Sequence, residues 1–270
     1  MNNDKLEKPG SHKAAGDLKY ILLGTVSILT FLMIWQMAVM YNWVSSRMLS
    51  APTTVFATLI EKFTSPNPDG ATIFVNIFVS LKVSLTGFLS AIVVGTPLGL
   101  FMGWYKPIDR FVRPLFEIIR PIPPIAWIPL TILWVGIGLG AKAMIIFFSA
   151  FVPCVINSYT GIKSTAPVLI SVAKTFGATN FQIFRKVGVP SAMPMAFAGI
   201  RIALGNSWGT LVAAELLAAN AGLGYMISMG RQFARPDIII LGMITIGVLG
   251  FLFTWIFTKV ENVVVRWRAQ

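Results

Sequence analysis

The sequence predicts an all-α, polytopic integral membrane protein of about six transmembrane helices. Composition is the first reason: 56% of the residues are hydrophobic and only 12% charged, about half the charged fraction of an ordinary soluble domain. Mean hydropathy is +0.75. Segregation is the second. The runs from Val83 to Tyr105 and from Ile238 to Thr258 contain no Asp, Glu, Lys or Arg. A helix of roughly 20 such residues, rising 1.5 Å per residue, spans the hydrocarbon layer.

The chain divides on this pattern. An N-terminal tail, 1–19, carries Lys5, Lys8, Lys13 and Lys19, and a first apolar helix follows over 20–43. That run is too long for a signal peptide and no small-residue cleavage site closes it, so it is predicted to stay as a span. Segment 44–72 contains SAPTTVFATLIEKF, a short amphipathic helix starting near Ser50, and then the turn-rich SPNPDG. A core of five further spans is expected over 73–258, with apolar stretches at 82–104, 115–135, 142–160, 193–216 and 237–258, before a tail at 259–270. The stretch beginning RPIPPIAWIP holds Pro121, Pro123, Pro124 and Pro129. Proline removes a backbone donor and clashes with the preceding turn, so this segment is predicted to enter the membrane extended or kinked, packed against protein.

The formal charge of +12 forms no continuous basic face, which argues against nucleic acid. The cations instead sort by side. With the N-terminus inside, the inner segments hold fifteen: Lys5, Lys8, Lys13, Lys19, Lys106, Arg110, Arg113, Arg120, Lys163, Lys174, Arg185, Lys186, Lys259, Arg266 and Arg268. The outer segments and span ends hold six: Arg47, Lys62, Lys82, Lys142, Arg231 and Arg235. The positive-inside rule then places both termini and segment 161–192 in the cytoplasm, with Arg201 snorkelling near the inner end of its span.

Segment 161–192 reads as two short helices around Gly177, one from Pro167 to Phe176 and one from Asn180 to Val187, the second ended by Pro190. Val168, Val172 and Phe176 follow helical spacing, as do Phe181, Phe184 and Val187. Apolar residues on a cytoplasmic loop point to a protein partner. Gly177, nine residues, Val187, one residue, then Val189-Pro190 resembles the EAA loop of permease subunits of bacterial ABC importers. The family's Glu-Ala-Ala is replaced here by Ser171-Val172-Ala173. RPIPPIAWIPLTILWVGIG, GIRIALGNSWGTLVAAELLAANAGLGY and SAPTTV extend the likeness over roughly 75–258 and resemble the nitrate/sulfonate/taurine branch, most of all its taurine permeases.

The resemblance implies the type I, MetI-like fold and a multi-pass place in the bacterial inner membrane. It also implies a homodimer of this chain around the pathway, two cytoplasmic ATPase subunits that bind ATP and Mg, a periplasmic substrate-binding protein, and a surround of lipid. The loop would be a coupling helix docked on the ATPase, with Ser171, Ala173, Phe176, Gly177, Ala178, Phe181 and Pro190 as its contact residues. The substrate implied is a small organic sulfonate, taurine foremost. Nitrate, bicarbonate or another small anion is the alternative within the class. A secondary transporter or channel working without ATP is the rival outside it, and a non-transporting assembly protein a further one.

The residues offer little chemistry of their own. No GxxxxGK[ST] loop is present, so nucleotide hydrolysis is not expected of this chain. GIGLGA at 136–141 fits a loose dinucleotide pattern but joins two spans, and reads as a tight turn. His12 is the one histidine and Cys154 the one cysteine; Cys154 reads as a small buried hydrophobe, and metal or nucleophilic catalysis has no ligand set. Gly87, Ala91, Gly95, Gly99 and Gly103 form a stripe that lets another helix approach closely, in the same subunit or in a second copy. Gly205 and Gly209 repeat the spacing. Pro123, Pro124, Trp127, Asn206, Trp208 and Glu215 are the candidates for the translocation pathway or its gate, because polar groups within spans face a partner or a wet cavity. Arg201, Trp208 and Glu215 stand seven apart, near one stripe, with Asn206 offset. Glu215 reads equally as a structural hydrogen-bond partner, and Trp127 as an aromatic core residue.

Overall fold

The small-residue stripe decides how the helices pack. The computed structural model describes residues 11–218 and 220–264, which form helices joined by turns, with no strand among the described residues. Helix α3 (Ile73–Trp104) lies along α6 (Leu139–Lys163), and α6 lies along α9 (Val189–Ala218). At Gly87 a methyl group would come within 2.5 Å of the Ala143 carbonyl, and at Gly95 within 3.1 Å of Cys154 Cβ. At Gly99 it would run into the Val155 carbonyl, and at Gly103 into Ile162. The stripe is thus spent inside the subunit, on α6. Ala91, Cys154, Ile200 and Ala203 are sealed in the core behind it, with Phe88 and Leu204.

Around this centre stand α1 (Ser11–Met40), α2 (Pro52–Thr64), α10 (Leu223–Gln232) and α11 (Pro236–Val264). Pro52 occupies the first turn of α2, where a missing N–H costs nothing. Val55 of α2 packs with Ile73, Leu223, Met226, Ile238 and Leu241. Among the described residues, five helices are long and apolar enough to cross a membrane, and one bent pair raises the number to six. Several limits differ from expectation. The first helix begins at Ser11 within the expected tail, α3 starts at Ile73 rather than 82, and α11 continues to Val264. Lys5, Lys8, Arg266 and Arg268 lie outside the described residues, as do the side chains of His12, Lys13 and Lys19.

The proline-rich stretch is where the expected span 115–135 changes most. Helix α4 (Lys106–Ile119) is amphipathic, with Phe116 buried and its charged face outward. It breaks at 120–123, a 3₁₀ turn over Pro124–Trp127 runs into α5 (Ile128–Val135), and the piece Pro124–Val135 leaves at 88° to α4. Prolines at 121, 123 and 124 deny the break a helical ladder, and the Ala126 N–H bonds the Pro123 carbonyl instead (2.9 Å). The turn expected at 136–141 is shorter: only 136–138 lie outside helix, with Gly136 at φ +79°.

The second correction concerns Pro190, expected to end a helix at Val187. Helix α7 (Pro167–Thr175) is followed by α8 (Asn180–Ile183), a π-turn over Phe184–Gly188, and then α9 without a gap. The wide turn lets the Val189 N–H reach back to the Phe184 carbonyl. Pro190 therefore falls just after the wide turn, where an already irregular ladder accommodates its missing donor.

Replacing Gly99 by Leu should force α3 away from α6. Overpacking of this kind costs about 1–3 kcal/mol, and the melting temperature of the purified, detergent-solubilised chain should drop by several degrees. An unchanged melting temperature would mean that the α3–α6 contact is not as close as described.

Candidate functional site

Three groups of residues stand out, one by exposed apolar surface, one by a polar cavity and one by a buried polar network. The first is at the α7 end of the bundle. Gly177 adopts φ +75°, a left-handed conformation that glycine enters without a Cβ penalty. Its N–H bonds the Lys174 carbonyl (2.9 Å) and the Ala178 N–H bonds the Ala173 carbonyl (3.1 Å), the paired bonds of a Schellman stop. Two residues on, Thr179 and Gln182 form a reciprocal capping box that starts α8. The loop is therefore a rigid corner. It presents apolar surface outward: Phe176 is 86% exposed and Phe181 58%, with Val168, Leu169 and Val172 open beside them. Ser171 is exposed on the same helix and Ala173 partly covered.

Aromatic packing fixes this corner to the bundle. Phe184 stacks on Phe101 and meets Trp104 and Tyr105 at the end of α3. Trp104 also donates its indole N–H to Asn180 Oδ1 (3.1 Å), and its ring fills the space a side chain at Gly188 would need.

The second group lines a cavity of about 460 Å³ between the α4–α5 break, α6 and α9. Pro124 and Asn206, two of the pathway candidates, meet there, with Arg120, Ser149, Gly209 and Thr210. Ser149 and Thr210 share a hydroxyl hydrogen bond (2.8 Å). Gly205 and Gly209 have nothing within 4 Å of an added methyl group, so this second glycine pair meets no helix among the described residues. Asn206 is exposed on the same face, and an exposed amide on a span requires water or protein beside it rather than lipid. Trp127 stands behind the cavity, stacked on Phe148 at 4.4 Å. Pro123 is exposed at its edge. The sequence reading did not connect Arg120, Ser149 and Thr210 with a cavity, because only the fold folds the break against α6 and α9.

Trp208 and Glu215 lie elsewhere. The Trp208 indole donates to the Ile246 carbonyl of α11 (3.0 Å) and packs on Phe253. Arg201 pairs with Glu261 of the same helix. Glu215, 1% exposed, belongs to a third group at the opposite end of the bundle. Ser80 donates to its carboxylate (2.8 and 2.9 Å) and so does the Gly224 N–H (2.8 Å). The Leu223 N–H bonds Ser80 Oγ (2.8 Å) and the Gly222 N–H bonds Asn76 Oδ1 (2.9 Å). The first donors of α10 are thus satisfied by side chains of α3 and α9, and a carboxylate sits at its positive end.

The same network runs on through Asn76, which donates to Asp69 Oδ2 (2.6 Å), to Lys62 (2.5 Å from Asp69 Oδ1). Lys62, read from sequence as an outer charge, is 1% exposed and also holds the carbonyls of Asn67 and Ala71. Nothing in its spacing from Asp69 distinguished it from a solvated lysine. Glu215→Ala should leave the Ser80 hydroxyl proton and the Gly224 N–H without an acceptor, at about 1–3 kcal/mol for each buried group. Glu215→Gln, which keeps an acceptor, should lose less stability in the same melting measurement; equal losses would sink this reading of the network.

Comparison with known proteins agrees with this architecture. Residues 95–266 match the family described as binding-protein-dependent transport system inner membrane component. A chain named as an ABC transporter permease protein in Methanocaldococcus jannaschii is 39% identical over 72% of this chain and 73% of its own length. The taurine transport system permease protein of Escherichia coli K12 is 32% identical over 92% of this chain and 90% of its own. A chain named for aliphatic sulfonates transport in Bacillus subtilis 168 is 32% identical over 99% and 94%. With several apolar helices of membrane-crossing length and a family match over more than half its residues, the chain belongs to the permease subunits of binding-protein-dependent ABC transport systems.

Proposed function

We propose that this permease forms the pathway of an ATP-driven importer for a small organic sulfonate, taurine foremost, and takes its drive from a separate ATPase at the Gly177 corner. The corner itself carries the reading. Phe176 and Phe181 stand exposed on a backbone locked by two successive capping motifs, an arrangement suited to a preformed groove on a partner. Ser171, Ala173 and Ala178 complete the docking surface, and Pro190 marks the point where it becomes a span. The corner then lies in the cytoplasm, as do both termini, and ATP with Mg belongs to the two ATPase chains.

Two copies of the chain enclose the pathway. The open Gly205/Gly209 face with Asn206 favours this over lipid contact. Pro123, Pro124, Trp127 and Asn206 line or support the passage, with Arg120, Ser149 and Thr210 as donors toward a sulfonate. Trp208 ties α9 to α11, and Glu215 acts at the gate by holding α10 to α3 and α9. A periplasmic binding protein delivers substrate at that end. The relative named for taurine aligns along nearly the whole chain, which favours sulfonate over nitrate or bicarbonate.

The test is ATPase activity of the complex in liposomes with its cognate binding protein. Taurine should stimulate it, independently of proton or sodium gradients; stimulation by nitrate and not by any sulfonate would overturn the substrate. Gly177→Val places a Cβ with nothing within 4 Å at φ +75°, at about 1–3 kcal/mol of local strain. Uptake should fall at least tenfold, while the melting temperature drops by no more than in Gly99→Leu, and Gly177→Asn, which tolerates this conformation, should retain most transport. Full uptake in Gly177→Val would remove the corner from the coupling path.

A further inference from the structure

A second cavity, of about 280 Å³, opens at the α10 end between α3, the α5–α6 turn and the turn before α10. Val79, Lys82, Gly138, Leu139, Lys142 and Asn220 line it. Lys142 is 5% exposed, and its ammonium makes no hydrogen bond or ion pair among the described residues. The Glu215 carboxylate lies within electrostatic reach of it, but its oxygens are held by Ser80 and Gly224. A buried ammonium without a hydrogen-bonded counter-ion is costly. Helix α6 starts at this wall, its N-cap Gly138 offers no side-chain cap, and its N-terminal donors and dipole favour negative charge. Lys82, exposed on α3, adds a second cation, and Asn220 an amide.

We propose that this cavity is a binding site for an oxyanion group: a sulfonate, carboxylate or phosphate seated on Lys142 at the start of α6, with Lys82 closing over it. Such a group arrives either on a small solute or on an anionic phospholipid headgroup. The site differs from the Asn206 cavity in every lining residue. It gives the α10 end a place where an anion answers Lys142, whose neighbour Glu215 is held by other donors.

The test is the rate at which an amine-reactive reagent acylates Lys142, read by mass spectrometry on the full chain in phosphatidylcholine nanodiscs. Methanesulfonate or inorganic phosphate should slow acylation of Lys142 at least threefold, and should not slow acylation of Lys174, which lies at the other end. The same anions should raise the melting temperature of the native chain but not of Lys142→Met. Lys82→Gln, a surface change, should weaken protection severalfold while the chain stays folded. Protection by phosphatidylglycerol but not by small anions supports the site and assigns it to lipid. Equal protection by chloride at matched ionic strength, or no protection by either source, overturns it. Because the footprint is read without ATPase or transport, its failure leaves the importer reading standing, and failure of sulfonate-driven uptake leaves the site standing.

Discussion

Everything else in the molecule is arranged around the near-contact of α3 with α6. In a bilayer, apolar side chains gain nothing by leaving lipid for another helix, so association depends on close van der Waals fit. Four glycines and one alanine along α3 let backbone meet backbone, with the carbonyls of Ala143 and Val155 at the interface. That contact sets the position of α6, whose other side receives α9 and whose start shapes the α5–α6 turn. The cavity around Asn206 exists because α9 spends one face on α6 and keeps its Gly205/Gly209 face uncovered.

The two ends of the bundle are built by different means. At the α7 end, rings hold the corner: Phe101, Trp104, Tyr105 and Phe184 interlock, and one indole hydrogen bond sets the register. At the α10 end the joint is polar. Lys62, Asp69, Asn76, Ser80 and Glu215 link α2, α3, α9 and the start of α10 through buried hydrogen bonds. Breaking such a network partway strands charged groups, so it favours two defined arrangements over gradual loosening.

Much of this was legible in the sequence, for physical reasons that differ by element. Uninterrupted apolar runs located the spans, since a bilayer demands length and lack of charge. Gly177 stood out because a chain reversal between two helical patterns needs a left-handed residue. The Gly87–Gly103 stripe announced close packing, although whether the partner was α6 or a second copy could be read only from the fold. Pro190 misled, because a proline ends a helix in isolation and a π-turn upstream removes the conflict. Trp208 and Glu215, seven residues apart, belong to different contacts: α11 receives the first, and α10 with α3 the second. Spacing along one helix says nothing about which neighbour is present at each height. Lys62 and Asp69 were hidden for the same reason, as were Arg120, Ser149 and Thr210.

The π-turn at Phe184–Gly188 has a mechanical meaning. Because the helix never stops there, the run from Asn180 to Leu216 is one rod of 37 residues, roughly 55 Å long at 1.5 Å per residue. The hydrocarbon layer is about 30 Å thick. One end of the rod is clamped beside the exposed Phe181, and the other carries the carboxylate that grips α10. Under the proposed coupling, a tilt at the clamped end would be carried along one continuous helix to the α10 end. The wide turn and Pro194 are the two places in that rod where the helical ladder departs from regularity, and the first lies beside the aromatic cluster.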